Sequence, residues 1–321
     1  MWLIVAFILG GAAALYVGAE ILVRGSVALA LRLKISTLLI GLTLVAIGTS
    51  GPELFVNIRG AMEGRADLGV GNVIGANIVT IGGVLGLCAL IKPLAISRQL
   101  VRWDMPAMLV TNIIMMVFTF SLQISRLKGA FFLGLFLLYL AGLYFITKKG
   151  ILKEKEVLKE EEPVIEQSHA ISRYAWWDLL LIGGGLILLS LGAQWLVKGA
   201  VQLAMQWGVS EKVIGLTVVA MGTSQPELIT SIIAVFRKQH YIALGNIIGS
   251  NVYNLLGILG ISSLVRPLQL EHSVLGDLLY LFLLQCFLFP ILQKKSEISR
   301  WKGVCLLLLY TGFVTVLYSL K

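Results

Sequence analysis

The sequence predicts an all-α polytopic membrane protein with about ten transmembrane helices in two inverted five-helix repeats. Three observations lead to this fold class: the chain is apolar almost from end to end, its two halves resemble each other at a fixed offset, and its basic residues are concentrated in alternate loops. A transmembrane barrel is disfavoured because the apolar stretches are too long and too even for strands that alternate apolar and polar residues.

The apolar stretches are long enough to cross a bilayer. Of the 321 residues, 58% are hydrophobic and 13% are charged, and the mean hydropathy is +0.90. A soluble protein of this length needs far more polar surface. One span needs about 20 mostly apolar residues, and lipid leaves helices as the structure for such segments. The predicted spans are 3–23, 35–61, 68–91, 105–122, 130–146, 177–196, 213–236, 242–264, 275–292 and 304–320.

The two halves of the chain are copies of one another. The segment IGLTLVAIGTSGPEL begins at Ile40, and its counterpart IGLTVVAMGTSQPEL begins at Ile214. The same offset relates GVGNVIGANIV from Gly69 to ALGNIIGSNVY from Ala243, and no gap is needed from Gly18 to Leu94. Because each copy contains an odd number of spans, the second copy enters the membrane from the opposite side. Secondary transporters contain such inverted repeats, with their binding sites near the midplane.

The basic residues indicate how the spans are oriented. The net charge is +9, and most Lys and Arg residues fall in the loops that follow odd-numbered spans. The positive-inside rule therefore predicts a multi-pass protein of a bacterial-type inner (plasma) membrane with both termini extracytoplasmic. Because the positive charge is explained by this orientation, we expect membrane lipid and no nucleic acid as a partner, and no obligate protein partner is evident.

These observations divide the chain into three parts. Residues 1–146 form the first five-helix repeat, residues 176–321 form the second, and residues 147–175 form a cytoplasmic linker. The linker mixes Lys and Glu with one Pro, which is typical of a solvated helix or a flexible connection.

Two acidic residues lie deep inside apolar segments. Glu53 and Glu227 are equivalent in the repeat, and they are the only acids that the sequence places far from a span end. A carboxylate at that depth costs at least ~2.5–3.5 kcal/mol. A symmetric pair of such residues implies a shared cation, and calcium is a hard ion that takes six to eight oxygen ligands.

Oxygen donors surround both acids at equivalent positions. They are Thr49, Ser50 and the carbonyl of Ala46 in the first copy, and Thr223, Ser224 and the carbonyl of Ala220 in the second. Pro52 and Pro226 cannot donate a backbone N–H, so we expect each helix to break here and to turn carbonyl groups toward a cavity. The alternative for the hydroxyl groups alone is a bond back to their own helix.

A second set of polar residues follows in the GNxxGxN segments. Ser250 and Asn254 lie one helical turn apart, as do Ala76 and Thr80, so each pair can face one cavity. The asparagines of these segments are expected to bond across helices, and direct contact with an ion is the minority interpretation for them.

The two GTSxPEL segments, each followed by GNxxGxN, resemble the paired repeats of the calcium/cation antiporter superfamily, and the chain looks like a prokaryotic sodium/calcium exchanger. The resemblance covers nearly the whole chain. It implies sodium-driven calcium exchange by alternating access, with no cofactor and with calcium and sodium as the transported ions. It also implies a calcium site centred on Glu53 and Glu227, with Thr49 and Thr223 as further metal ligands. Sodium sites would flank the calcium site. The resemblance also makes Ser50, Ser224, Ala46, Ala220 and Ser250 cation-binding residues, and Thr80 and Asn254 occupy further cation-binding positions.

Three positions depart from the common prokaryotic pattern of that family. Ala76 stands where Ser is usual, Thr80 where Asn is common, and Asn254 where Asp is common. The first change removes a hydroxyl ligand and the last removes a negative charge, so the number and identity of the coupled ions stay open.

Other functions are compatible with parts of the pattern. A proton- or potassium-coupled calcium/cation exchanger is the main alternative, since buried carboxyl groups can also titrate. A channel is a second, although paired acids in an inverted repeat favour alternating access. An intramembrane hydrolase would need a base beside Ser50 or Ser224, and every histidine is predicted in a loop or at a span end. We therefore expect a secondary transporter and not an enzyme.

Overall fold

The computed structural model describes residues 2–148, 175–207, 220–293 and 297–319, and these residues are helical almost throughout. The predicted linker 147–175 falls almost entirely outside the described residues, as do residues 213–219 of the seventh predicted span.

The described helices are divided evenly between the two halves of the chain. The first half contains α1 (Trp2–Leu33), α2 (Thr37–Thr49), α3 (Gly51–Glu63), α4 (Ala66–Ile78, continued by the π-helical turn Val79–Val84 and by Leu85–Ile91), α5 (Leu100–Thr119) and α6 (Arg126–Lys148). The second half contains α7 (Ala175–Gln206), α8 (Ala220–Thr223), α9 (Gln225–Phe236), α10 (His240–Val265), α11 (Ser273–Gln293) and α12 (Arg300–Ser319). Short strands lie between some of these helices: β1 (Leu94–Ala95), β2 (Gln123–Ile124), β3 (Leu268–Gln269) and β4 (Glu297–Ile298).

The helical, polytopic architecture is confirmed. Among the described residues, 7 helices are long and apolar enough to cross a membrane, and 8 if α2 and α3, which meet at a bend of 45°, count as one broken span. The total of ten spans stays a prediction because part of the second copy lies outside the described residues.

The repeat offset extends to details of the backbone. The π-helical turn Val79–Val84 corresponds to a second one at Tyr253–Ile258. Strand β1 corresponds to β3 and β2 to β4, yet β1 pairs with β4 and β2 pairs with β3, both antiparallel. Each strand therefore pairs with the other copy, which is the pattern that a two-fold axis between the copies produces.

Helices α1 and α7 cross through glycines. A side-chain carbon added at Gly18 would lie 2.8 Å from the amide nitrogen of Leu189 and 2.9 Å from the carbonyl oxygen of Gly185. The two backbones can approach this closely only because these glycines lack a side chain. Gly11 and Gly192 repeat the contact, with 2.8 Å from an added carbon at Gly11 to the Gly192 carbonyl. The crossing is therefore itself symmetric under the repeat.

Helix α10 lies at the centre of the bundle. Every residue from 241 to 260 is buried. Helices α1 and α6 instead expose large apolar side chains such as Leu9, Phe131 and Leu138, which suits them to contact with lipid chains. The polar side chains of α10 are thus held inside protein.

Asp104 and Asp178, near the starts of α5 and α7, are also fully buried, a burial that the sequence did not predict. Hydropathy placed both residues at the ends of predicted spans. Helices α5 and α7 begin before those spans, and packing against neighbouring helices buries the first turns of α5 and α7. Asp178 on α7 accepts a 2.7 Å ion-pair hydrogen bond from Nε of Arg32 on α1.

Candidate functional site

Helical structure is interrupted at two equivalent serines, one in each repeat. Ser50, with φ −79° and ψ 14°, separates α2 from α3, and Ser224, with φ −83° and ψ 6°, separates α8 from α9. Pro52 and Pro226 lie in the first turn of the following helix, where a missing N–H leaves no hydrogen bond unmade. The predicted helix break is therefore confirmed at both positions.

The carbonyl of Ala46 keeps its helical hydrogen bond despite the break. It accepts a hydrogen bond from the amide of Ser50 at 3.2 Å and faces the Thr49 hydroxyl at 3.4 Å. A carbonyl oxygen has two lone pairs, so this one keeps capacity for a further partner. Ala220 is the first residue of α8 at the corresponding position.

The break places Glu53 and Glu227 in the first turn of α3 and α9, respectively. Both side chains are buried, at 0% and 1% exposure. The positive end of a helix dipole stabilises a negative charge at this position. The fold therefore supplies part of the compensation that a buried carboxylate needs.

Each carboxylate is held by a serine of the other repeat. The hydroxyl of Ser50 donates to Oε1 of Glu227 at 2.8 Å, and the hydroxyl of Ser224 lies 3.4 Å from Oε1 of Glu53. Within the described residues, Oε2 of Glu53 and Oε2 of Glu227 have no hydrogen-bond partner. The site thus has two buried carboxylate oxygens that are oriented by their neighbours and are open to a ligand.

Asparagines of the GNxxGxN segments orient the two threonines. Thr49 donates to Oδ1 of Asn246 at 3.0 Å, and Thr223 donates to Oδ1 of Asn72 at 3.2 Å. A hydroxyl group that donates its hydrogen to an asparagine keeps the lone pairs of its oxygen for another partner, such as a metal ion. The expected bonding of these asparagines across helices is confirmed.

A second polar network crosses between α4 and α10. Asn77 donates to the carbonyl of Asn251 at 3.1 Å, Asn251 donates to the hydroxyl of Thr80 at 2.8 Å, and Asn254 donates to Oδ1 of Asn77 at 2.9 Å. All four side chains are buried. Ser250, also buried, donates to the carbonyl of Ile247 at 3.0 Å. The π-helical turns of α4 and α10 lie here, and such turns are frequent at functional sites.

The structure therefore brings the predicted residues together in two groups. The first group consists of two hydrogen-bonded pairs, Ser50 with Glu227 and Ser224 with Glu53, and of the neighbouring Thr49 and Thr223. Thr80 and Asn254 belong to the second network, and among the described residues no hydrogen bond joins them or Ser250 to either carboxylate.

The bond from Asn77 to Asn251 also agrees with the predicted bonding of these asparagines across helices. Both residues come from the last position of the GNxxGxN segments. A buried amide needs a partner: the Asn77 side chain finds it in the backbone carbonyl of Asn251, and the Asn251 side chain in the Thr80 hydroxyl. The described part of the chain contains no group of three or more His, Cys, Asp or Glu side chains suited to a metal. Any cation here must use hydroxyl, amide and carbonyl oxygens beside the two carboxylates.

A polytopic helical bundle with duplicated broken helices and paired buried carboxylates defines a secondary transporter. The family model described as sodium/calcium exchanger protein matches residues 2–145 and 177–319. The chain belongs to the sodium/calcium exchanger family, so it is a membrane transporter and not an enzyme.

Relatives align over nearly their whole length. The chain is 34% identical to the putative antiporter CaxA of Alkalimonas amylolytica over 320 residues, which covers 98% of each protein. It is 32% identical to the inner membrane protein YrbG of Escherichia coli, over 89% of this chain and 87% of YrbG. The structure of the sodium-calcium exchanger NCX_Mj soaked without Na⁺ and Ca²⁺ superposes with a TM-score of 0.83 at 33% identity, covering 99% of each chain.

Proposed function

We propose that this protein exchanges calcium for sodium by alternating access and that both ions use the buried site between the two repeats. The observation that carries the proposal is the reciprocal bonding of Ser50 to Glu227 and Ser224 to Glu53, which leaves one oxygen of each carboxylate open. Neither repeat can complete this arrangement alone.

The open carboxylate oxygens of Glu53 and Glu227 are the central calcium ligands in this proposal. Calcium takes six to eight oxygens and accepts carboxylates, carbonyls and hydroxyls in flexible geometry. Thr49 and Thr223 add oxygens beside the carboxylates, and their asparagine partners hold them in place. A site of this composition suits a hard cation better than a soft one.

The flanking sodium sites use the neutral oxygens on either side of the carboxylates. The residues proposed for them are Ser50, Ser224, Ala46, Ala220, Ser250, Thr80 and Asn254. Two sodium ions carry the same total charge as one calcium ion, so the two carboxylates can neutralise either. Ala76 is buried and has no hydroxyl group, which leaves one flanking site with fewer ligands.

The charge of the site couples the two ions. Calcium and sodium bound together would leave uncompensated positive charge in a buried site, and the empty site would leave two unpaired carboxylates; both conditions are costly. Each ion must therefore leave as the other binds. On this reasoning the exchange is close to electroneutral, with about two monovalent ions per calcium.

Alternating access follows from the two repeats in this proposal. Residues 1–146 and 176–321 insert in opposite orientations, the linker 147–175 connects them on the cytoplasmic side, and both termini are extracytoplasmic. The strand pairings β1 with β4 and β2 with β3 support a two-fold relation between the repeats. The relationship to the inner membrane protein YrbG supports placement of the chain in an inner membrane surrounded by lipid.

The test is calcium uptake into proteoliposomes with sodium, potassium or pH gradients imposed in turn. We expect uptake to follow the sodium gradient and to be lost in Glu53→Gln and in Glu227→Gln. Glu63→Gln is the matched control, because Glu63 lies on the same helix as Glu53 but is exposed and pairs with Arg59. Uptake that follows only the potassium or pH gradient contradicts sodium coupling. Near-normal uptake in either site variant, in correctly inserted protein, contradicts the assignment of the site.

A further inference from the structure

The side-chain amide of Asn246 is fixed at both of its ends. Its Oδ1 accepts the hydroxyl of Thr49 at 3.0 Å, and its Nδ2 lies 3.1 Å from the hydroxyl oxygen of Ser231 and 3.4 Å from the backbone carbonyl oxygen of Glu227. Asn246 and Ser231 are both 0% exposed. Because a carbonyl oxygen accepts hydrogen bonds and never donates them, Nδ2 must face Glu227 and Oδ1 must face Thr49.

The equivalent amide of the first repeat, Asn72, is held at one end only. Its Oδ1 accepts the hydroxyl of Thr223 at 3.2 Å, but its Nδ2 is buried and has no hydrogen-bond partner among the described residues. No bond at Nδ2 therefore determines, in this part of the chain, which end of the amide faces Thr223. With the two ends exchanged, Nδ2 would donate to the Thr223 oxygen and occupy a lone pair that a cation needs.

The difference between the two amides follows from one position on helices α3 and α9. Under the repeat offset, Ser231 corresponds to Asn57. The side-chain amide of Asn57 donates to the backbone carbonyl of Glu53 at 3.0 Å, and this carbonyl is the counterpart of the Glu227 carbonyl that Asn246 contacts. In the first repeat the acceptor is thus bonded to a residue of its own helix, whereas in the second repeat it is bonded to α10.

The packing changes together with this residue. A side-chain carbon added at Gly69 would lie 2.8 Å from Oδ1 of Asn57, so the larger side chain needs a glycine beside it. At the equivalent positions the second repeat has Ser231 and Ala243, a smaller residue and a larger one. The second repeat has therefore replaced an amide that bonds to its own helix by a hydroxyl that bonds to Asn246.

We propose that Ser231 is a positioning residue for calcium selectivity, because it fixes the Asn246 amide and through it the Thr49 hydroxyl. The inference rests on the proposed function, in which the two carboxylates and the two threonines bind the cation. Thr49 is then a rigid ligand and Thr223 an adaptable one. The ion selectivity of an oxygen site depends on cavity size, ligand number and ligand flexibility, so a rigid Thr49 favours calcium over the larger strontium ion.

Calcium and strontium binding to the purified protein tests this role. Equilibrium binding of radioactive calcium gives the dissociation constant for calcium, and displacement by Sr²⁺ gives that for strontium. In Ser231→Ala we expect the calcium constant to rise by about three- to tenfold and the strontium constant to rise less, so the preference for calcium falls. Ser231→Thr keeps the hydroxyl and should restore the preference. Ser231→Cys, whose thiol is a weak acceptor, replaces Ser231→Ala if that variant does not fold.

Thr230→Val is the matched control. Thr230 is the neighbouring residue on α9 and is 0% exposed, and its hydroxyl has no hydrogen-bond partner within the described residues. The variant therefore removes a buried hydroxyl but leaves Asn246 with its partners, and both dissociation constants should stay within about twofold of the wild type. Thermal unfolding without calcium is measured alongside, since a general loss of stability lowers the unfolding temperature and leaves the ratio of the two constants unchanged.

Three results overturn the proposal. An unchanged ratio in Ser231→Ala, or the same change in Thr230→Val, assigns Ser231 to packing only. A Ser231→Thr variant that behaves like Ser231→Ala shows that the hydroxyl is not responsible. Calcium binding that is unaffected by Glu53→Gln removes the proposed cation site and the role of Ser231 with it. Loss of binding in Glu53→Gln with an unchanged ratio in Ser231→Ala contradicts the role of Ser231 alone.

Discussion

The hydrogen bond from Ser50 to Glu227 offers a quantitative test of the proposed site. At 2.8 Å it has the normal length for an O–H···O bond, whereas the equivalent approach of Ser224 to Glu53 is 3.4 Å. A hydrogen bond to a charged group contributes ~1.5–3 kcal/mol, which corresponds to about 10- to 150-fold in an equilibrium constant. The longer contact should contribute less than about 1 kcal/mol.

Ser50→Ala should therefore weaken sodium binding more than Ser224→Ala does. The variant removes a proposed sodium ligand and also leaves Oε1 of Glu227 without its donor. The assay is sodium-dependent calcium efflux from proteoliposomes, with the sodium concentration for half-maximal rate as the readout. We expect an increase of at least about tenfold for Ser50→Ala and a few-fold for Ser224→Ala.

Ser273→Ala is the matched control for these two variants. Ser273 is an exposed serine at the start of α11 whose hydroxyl lies 3.3 Å from the carboxylate of Glu271, outside the site. Its sodium dependence should equal that of the wild type. Equal effects of Ser50→Ala and Ser224→Ala, or a larger effect of Ser224→Ala, would refute the reasoning from the two distances.

Two further predictions concern charge. Asn254→Asp adds an acid to the buried network of α4 and α10, so calcium flux in proteoliposomes should depend more strongly on membrane potential than in the wild type; an unchanged dependence would show that this position does not determine the coupling. Asp178→Asn removes the carboxylate to which Arg32 donates at 2.7 Å, and it should lower the free energy of unfolding by ~2 kcal/mol because Arg32 keeps a partly exposed charge. Thermal unfolding in detergent measures this loss, and Glu63→Gln, which breaks an exposed ion pair on α3, should change stability by less than about 1 kcal/mol. Equal losses in the two variants would contradict the importance of burial at Asp178.

The repeat made much of the site predictable from sequence. Glu53 and Glu227 stand out because a carboxylate inside an apolar helix is costly. The same acid lies at the equivalent position of both copies, which chance does not explain. The proline two residues after each serine predicts where the helices break. The sequence therefore locates the carboxylates and their serines from the repeat and from the residues around each acid.

The remaining features depend on packing between distant segments. Hydropathy cannot show that Asp104 is enclosed by neighbouring helices, because an acid beside an apolar window is most often at the membrane surface. Pairing of Asn77 with Asn251 across the two copies likewise needs the three-dimensional register of α4 and α10. Which oxygen of each carboxylate stays open is a matter of side-chain geometry, which no spacing rule supplies.

Competition between the two ions tests the central claim most directly. Equilibrium binding of radioactive calcium to the purified protein is measured over a range of sodium concentrations, and the apparent calcium dissociation constant is plotted against sodium on logarithmic axes. A shared site with two carboxylates predicts a slope of about two at high sodium and no calcium bound at saturating sodium. A dissociation constant that does not change with sodium would contradict the shared site, and a slope of about three would contradict the charge balance on which the coupling rests.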